Sequence, residues 1–227
     1  MRILFVCTGN MCRSPLAERL TSAWVDQRLG SAASAVHVYS AGTDAHDGRS
    51  MDGRSAQALS ELGGDSTGFT YRLLLRGEAE NADLVLSMSR RHRHTLLKHA
   101  PRALRWTFTL PEAASLLELV ETRGIETLPL PDRAQELALR LNAARARRRS
   151  SREDDVPDPI GRPLEEHRQV AEQIKTCLDP LMKVLLAPAV AVHRSPMGRS
   201  GFLPALPPVP PVRAGVSPPD RRSSASL

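Results

Sequence analysis

The first fifteen residues restrict the chain more than any other stretch. Ile3-Leu4-Phe5-Val6 is a short apolar run that leads directly into Cys7-Thr8-Gly9-Asn10-Met11-Cys12-Arg13, and Ser14-Pro15 then opens an amphipathic segment. Proline suits a first helical turn, because its φ is already helical and its missing N–H is not needed there. Strand, Gly-bearing loop and helix in this order form an anion cradle, since backbone N–H groups at a helix start converge on the loop before it. Such a strand cannot bury itself, so the rest of the chain must supply further βα units.

It does so in order. Leu16, Leu20, Ala23 and Trp24 fall at helical spacing, and Gly30 closes that helix. Val36-His37-Val38-Tyr39 reads as a second strand, ending at Ser40-Ala41-Gly42-Thr43. Asp52 to Leu62 forms a second helix closed by Gly63-Gly64. Leu84-Val85-Leu86 is a compact run of the kind buried in a parallel sheet, and a basic helix with Leu96 and Leu97 follows. Trp106 to Leu110 is the fourth strand and Glu112 to Val120 the helix after it, while Pro163 to Leu186 places Leu164, Val170, Ile174, Cys177, Leu181 and Leu185 near one face of a final long helix. Strands alternating with helices imply right-handed crossovers and an α/β doubly wound parallel sheet.

Residues 122–157 break this rhythm. Pro129 and Pro131 interrupt the chain, Ala134 to Ala146 forms an Ala/Leu/Arg helix, and a charged stretch runs to Asp155, so the segment reads as an insertion in a domain of residues 1–187. From Pro188 the character changes: nine of the eighteen prolines lie in residues 188–227, with few large apolar groups. That composition does not repay ordering entropy, and a disordered tail is expected. Pro204-Ala205-Leu206-Pro207 and Pro208 to Pro211 fit extended-helix ligands for a partner of the proline-rich tail, although an inert tail is the plainer reading.

Three irregularly spaced cysteines form no disulfide framework. No apolar stretch approaches the roughly 20 residues of a membrane span, and the opening run is too short for a signal peptide. The expectation is a soluble, reduced, cytoplasmic protein with no membrane partner. A formal charge of +6 raises the question of nucleic acid. The runs Arg90-Arg91-His92-Arg93-His94 and Arg145 to Arg149 lack interleaved aromatics, so they read as solvated faces and no nucleic-acid partner is expected.

Thiol chemistry on a phosphomonoester needs an activated thiol, a cradle for the phosphoryl oxygens, and an acid for the leaving group. A free thiol ionises near ~8.5, and a helix N-terminus favours its thiolate. Cys7 occupies that place, with Thr8, Gly9, Asn10, Met11, Cys12 and Arg13 supplying backbone N–H groups, and Arg13 adding a planar fork for two oxygens. Ser14 at the helix cap can donate its hydroxyl to the Cys7 sulfur; Gly9 permits close approach, and Asn10 tolerates a left-handed conformation. The acid is assigned to Asp158, in Asp158-Pro159-Ile160-Gly161 just before the last helix, where a loop returns to the carboxyl ends of the strands. Asp155 is the reserve, and Asp179-Pro180 is set aside because it lies within the helix pattern and lacks the glycine. Taken singly these features are weak: a Cys after an apolar strand is usually a small buried hydrophobe, and Asp-Pro usually starts a turn. Their relative positions carry the assignment.

Val6 to Pro15 resembles the signature of the low-molecular-weight protein tyrosine phosphatases, and Ser40-Ala41-Gly42-Thr43, Ala82-Asp83-Leu84-Val85-Leu86 and Asp158-Pro159 match in the same order. The resemblance implies a four-stranded, flavodoxin-like sheet of order 2-1-3-4. It implies a mechanism in which Cys7 becomes a phosphocysteine while Asp158 protonates the leaving group, after which Asp158 activates water. It also implies that Asn10 and Ser40 hydrogen-bond to hold the loop, and that Cys12 pairs reversibly with Cys7 under oxidation. The chain departs from the family in three places. Ile160 replaces an aromatic that usually flanks the substrate ring, Phe69 stands where a loop-bracing His is often found, and Met11 replaces the Thr typical of the phosphoarginine branch. Arsenate reductases of the thiol-relay type need resolving cysteines in a mid-chain loop, whereas the remaining thiol, Cys177, lies on an apolar helix face.

The expected function is therefore cofactor-free and metal-free hydrolysis of phosphotyrosine in a phosphorylated protein substrate. A protein-arginine phosphatase of the same family, or a phosphate-binding adaptor that captures without turnover, are the alternatives left open.

Overall fold

The computed structural model describes residues 1–46 and 48–188, and its element order follows the alternation of the sequence. β1 (Arg2–Cys7), β2 (His37–Gly42), β3 (Leu84–Ser87) and β4 (Thr107–Thr109) form a four-stranded sheet of order β2-β1-β3-β4, parallel at every pairing. The central strand explains the arrangement. Along β1, Ile3, Phe5 and Cys7 enter one apolar cluster and Leu4 and Val6 the other, and all five are buried. A strand with both faces apolar requires cover on both sides.

On the first face lie α1 (Arg13–Leu29), α2 (Gly53–Glu61), α5 (Leu110–Leu117), α6 (Leu130–Ala144) and α7 (Leu164–Leu185), through residues such as Leu16, Leu59, Leu116, Leu141 and Ile174. The second face packs under Leu96 of α4 (Arg90–His99) and Ala103. A short helix, α3 (Glu78–Asn81), precedes β3.

Local chemistry moves several boundaries from their expected positions. β2 continues through Ser40, Ala41 and Gly42 because these residues pair in register with Phe5, Val6 and Cys7. β4 stops at Thr109, whose side chain caps α5 in a reciprocal box with Glu112. α6 starts at Leu130 because Pro131 occupies its first turn, where proline continues a helix instead of breaking one. Within the stretch read as an insertion, α6 contributes Ala134, Leu137 and Leu141 to the main core. Arg133 fastens it there: Nε donates to the Leu128 carbonyl at 3.1 Å, and Nη1 to those of Leu185 and Ala187 at 3.2 and 2.5 Å. The Leu185 carbonyl, at the end of α7, has no intrahelical partner of its own. The proline-rich motifs, from Pro204 onward, lie outside the described residues.

Candidate active site

The loop between β1 and α1 sits at the carboxyl edge of the central strand, where an open α/β sheet receives ligands. Its shape is held from two sides. Thr43 and Asp44 donate backbone N–H groups to the Cys7 and Thr8 carbonyls at 2.9 and 3.0 Å, and Asp52 donates to the Met11 carbonyl at 3.0 Å. Gly42 is required by this approach, since a Cβ there would meet the Thr8 carbonyl oxygen at 2.3 Å.

Inside the loop, one side chain organises the others. Asn10 is fully buried with φ +53°. Its Oδ1 accepts the Arg72 backbone N–H at 3.0 Å, which fixes the orientation of the amide. Nδ2 then donates to Ser14 Oγ at 2.9 Å and to Ser40 Oγ at 2.7 Å. The Ser40 hydroxyl in turn donates to Glu18 Oε2 at 2.6 Å. Ser14 Oγ, having accepted from Asn10, has its hydroxyl proton free for Cys7 Sγ at 2.9 Å. Burial pushes the Glu18 carboxyl up from its ordinary value, against the lowering effect of the Ser40 hydroxyl.

Arg13 is buried, and Nη1 donates to the Val156 carbonyl at 3.1 Å. Nη2 meets Asp158 Oδ2 at 2.5 Å, and Nε is buried without a partner among the described residues. That remaining donor is of the kind a phosphoryl oxygen satisfies. The Asp158 carboxylate is half exposed and carries Ile160 beside it on the surface. Asp155, the reserve acid, is instead engaged by the backbone N–H and guanidinium of Arg90, at 2.7 and 2.8 Å. Asp179, set aside earlier, lies inside α7. Thus Cys7, Arg13, Ser14, Ser40, Asn10 and Asp158 come together, and Asp155 does not join them. Met11 is partly buried and packs against the main core.

Two contributors were not anticipated. Glu18 ends the hydrogen-bond chain described above. His92 belongs to a basic run whose composition suggests a solvated face, yet it is buried: Nε2 lies 2.8 Å from Thr8 Oγ1, and Nδ1 2.9 Å from Ser89 Oγ. Burial, reinforced by the Arg13 charge, pushes its pKa down to about 4, so the imidazole is neutral at physiological pH. The one available signal was Ser89, which caps α4 three residues before it. Cys12 is buried at the start of α1 and its thiol is pushed up to about 12, mainly by burial. Cys177 on α7 is half-buried and packs against the core. No helix among the described residues is long and apolar enough to cross a membrane.

A family model described as low molecular weight phosphotyrosine protein phosphatase matches residues 2–113. A protein-arginine-phosphatase of Bacillus subtilis is 37% identical over 116 residues, covering 49% of this chain and 71% of that protein. The low molecular weight protein-tyrosine-phosphatase Wzb of Escherichia coli K12 is 35% identical over 99 residues, covering 44% of this chain and 62% of that protein. Among solved structures, an arginine phosphatase from Geobacillus stearothermophilus superposes with a TM-score of 0.57 at 28% identity, over 81% of this chain and 92% of that one. The parallel sheet of order β2-β1-β3-β4, the Cys-x5-Arg-Ser loop and these likenesses agree: the chain belongs to the low-molecular-weight protein tyrosine phosphatase family of cysteine-based phosphatases.

Proposed function

We propose that the protein hydrolyses phosphotyrosine in proteins through a phosphocysteine on Cys7. In the first step the Cys7 sulfur attacks phosphorus, the bond to the leaving oxygen breaks, and Asp158 delivers a proton to that oxygen. In the second, Asp158 takes a proton from water, whose oxygen attacks phosphorus and releases Cys7 and inorganic phosphate. The loop amides from Thr8 to Arg13 and the Arg13 guanidinium bind the phosphoryl oxygens throughout. The observation that carries this reading is the pair of contacts converging on the loop, Ser14 Oγ on Cys7 Sγ at 2.9 Å and Arg13 on Asp158 at 2.5 Å. Pure binding needs neither a thiol nor an acid, which counts against a non-catalytic adaptor.

Selection of a phenolic ester rests on Met11, a bulky apolar residue in the phosphate loop where the phosphoarginine branch has Thr, while Ile160 in place of an aromatic counts against ring stacking on its side. A second reading, phosphoarginine, is favoured by the two relatives named as arginine phosphatases. Phosphotyrosine, phosphoarginine and phosphoserine peptides compared on the purified protein decide between them. The highest kcat/KM on phosphotyrosine supports the first reading, and the highest on phosphoarginine overturns it. The same proposal places the protein in the cytoplasm and requires no cofactor.

A further inference from the structure

Behind the phosphate loop lies a cluster that the phosphatase reaction leaves unused. Cys12 at the start of α1, Asp52 at the N-cap of α2 and His167 in the first turn of α7 each offer a donor atom, and these atoms lie within 4.8 Å of one another. The three residues come from separate elements and meet only through the fold. Cys12 and His167 are buried at 5% and 1% exposure, while Asp52 is partly exposed and opens the cluster to solvent. His167 Nδ1 lies 2.8 Å from Ser55 Oγ and 3.5 Å from Asp52 Oδ1. Its Nε2 is buried with no partner among the described residues.

His167 Nδ1 is the ring nitrogen that faces Asp52, so it is the candidate ligand atom and exchanges its Ser55 contact for the ion. Sulfur, imidazole nitrogen and one carboxylate oxygen make up the donor set of zinc, whereas magnesium and calcium take oxygen ligands. Three protein ligands leave a fourth position for water.

We propose that Cys12, Asp52 and His167 bind a divalent cation of the zinc class and that its binding inhibits the phosphatase. On binding, the Cys12 S–H bond breaks, an S–Zn bond forms and the proton leaves to solvent, with no change of oxidation state. A tetrahedral ion with bonds of about 2.0–2.3 Å holds its ligand atoms about 3.5 Å apart. Asp52 and His167 already stand at 3.5 Å, so closure falls mainly on Cys12, whose backbone belongs to the phosphate loop. A shift of about 1 Å in a positioning element is enough to cost about 100-fold in rate. The cation is a regulator here and takes no part in phosphoryl transfer.

The test is equilibrium dialysis of full-length, metal-free protein against buffered zinc. The Cys7→Ser protein is used as background, so that the nucleophile cannot serve as the ligand. One zinc per chain is expected, with affinity reduced about 100-fold or more when Cys12→Ser, Asp52→Asn or His167→Gln is added. Cobalt in place of zinc should give a thiolate charge-transfer band that Cys12→Ser removes. On the Cys7 background, zinc should inhibit aryl phosphate hydrolysis, and Asp52→Asn should abolish that sensitivity. Asparagine caps helices as well as aspartate, so this variant decides the matter if His167→Gln fails to fold. Loss of zinc uptake in the Cys7→Ser background, retention in Asp52→Asn, or binding without inhibition overturns the proposal.

Discussion

Replacing Asn10 tests whether the loop depends on one side chain. Asn10→Ala removes the two donations from Nδ2 and the acceptance of the Arg72 N–H, and leaves Ser14, Ser40 and the Arg72 amide without those partners in a buried setting. Each orphaned group costs about 1–3 kcal/mol, partly relieved by local rearrangement. The φ of +53° adds about 1 kcal/mol for a residue with a Cβ and no compensating side-chain bond. The expected loss is therefore about 3–5 kcal/mol, a large share of the stability of a domain this size. Asn10→Gly suffers the same loss of bonds without the left-handed strain, and should recover about 1 kcal/mol of it. Urea unfolding of the three proteins, compared at equal m-value, reads both numbers. Both variants should also lose activity, because Ser14 no longer has its proton directed at Cys7. Asn10→Ala within 0.5 kcal/mol of the parent, or Asn10→Ala more stable than Asn10→Gly, refutes the reasoning.

Three further outcomes follow from the same geometry. Asp158→Asn should lower kcat/KM, which reports the first step, about 10²–10⁴-fold on aryl phosphates with poor leaving groups and much less on those with good ones; a uniform loss in kcat/KM across a leaving-group series would remove Asp158 from the acid role. Gly42→Ala forces a Cβ onto the Thr8 carbonyl and the Ala45 side chain, and should destabilise by about 1–3 kcal/mol with loss of activity, read by thermal unfolding and turnover. The pKa of His92 is lowered from 6.5 to about 4 in the folded state, so its contribution to stability is present above pH 6.5 and is lost as pH falls toward 4. The loss reaches about 3 kcal/mol, and His92→Gln should flatten that part of the stability profile measured by denaturant titration.

Some of this was legible from residues alone, and the reason differs from place to place. The sheet was readable because β1 is apolar from Ile3 to Cys7 and its neighbours recur at βα spacing. The place of Asp158 beside Arg13 was readable because the loop before the last helix of such a sheet returns to the carboxyl ends of the strands. Glu18 was not, since a carboxylate on a helix ordinarily faces solvent, and only the pairing of β2 with β1 brings Ser40 beneath it. His92 was hidden in a run of arginines whose composition suggests a wet face, whereas the Ser89 cap sets the helix phase that turns this one residue inward. The sequence puts the start of α6 four residues late because Pro129 and Pro131 read as breaks, although Pro131 lies in the first turn of the helix. For Glu18 and His92 the partners Ser40 and Thr8 come from other elements, so no local pattern contains them.

The central claim is that Cys7 carries the phosphoryl group. The most direct measurement is mass spectrometry of protein acid-quenched during turnover of an aryl phosphate in the presence of a metal chelator. A phosphoryl adduct mapped to Cys7, together with loss of turnover in Cys7→Ser, is the expected result. Turnover with Cys7 unmodified, or full activity in Cys7→Ser, contradicts the account.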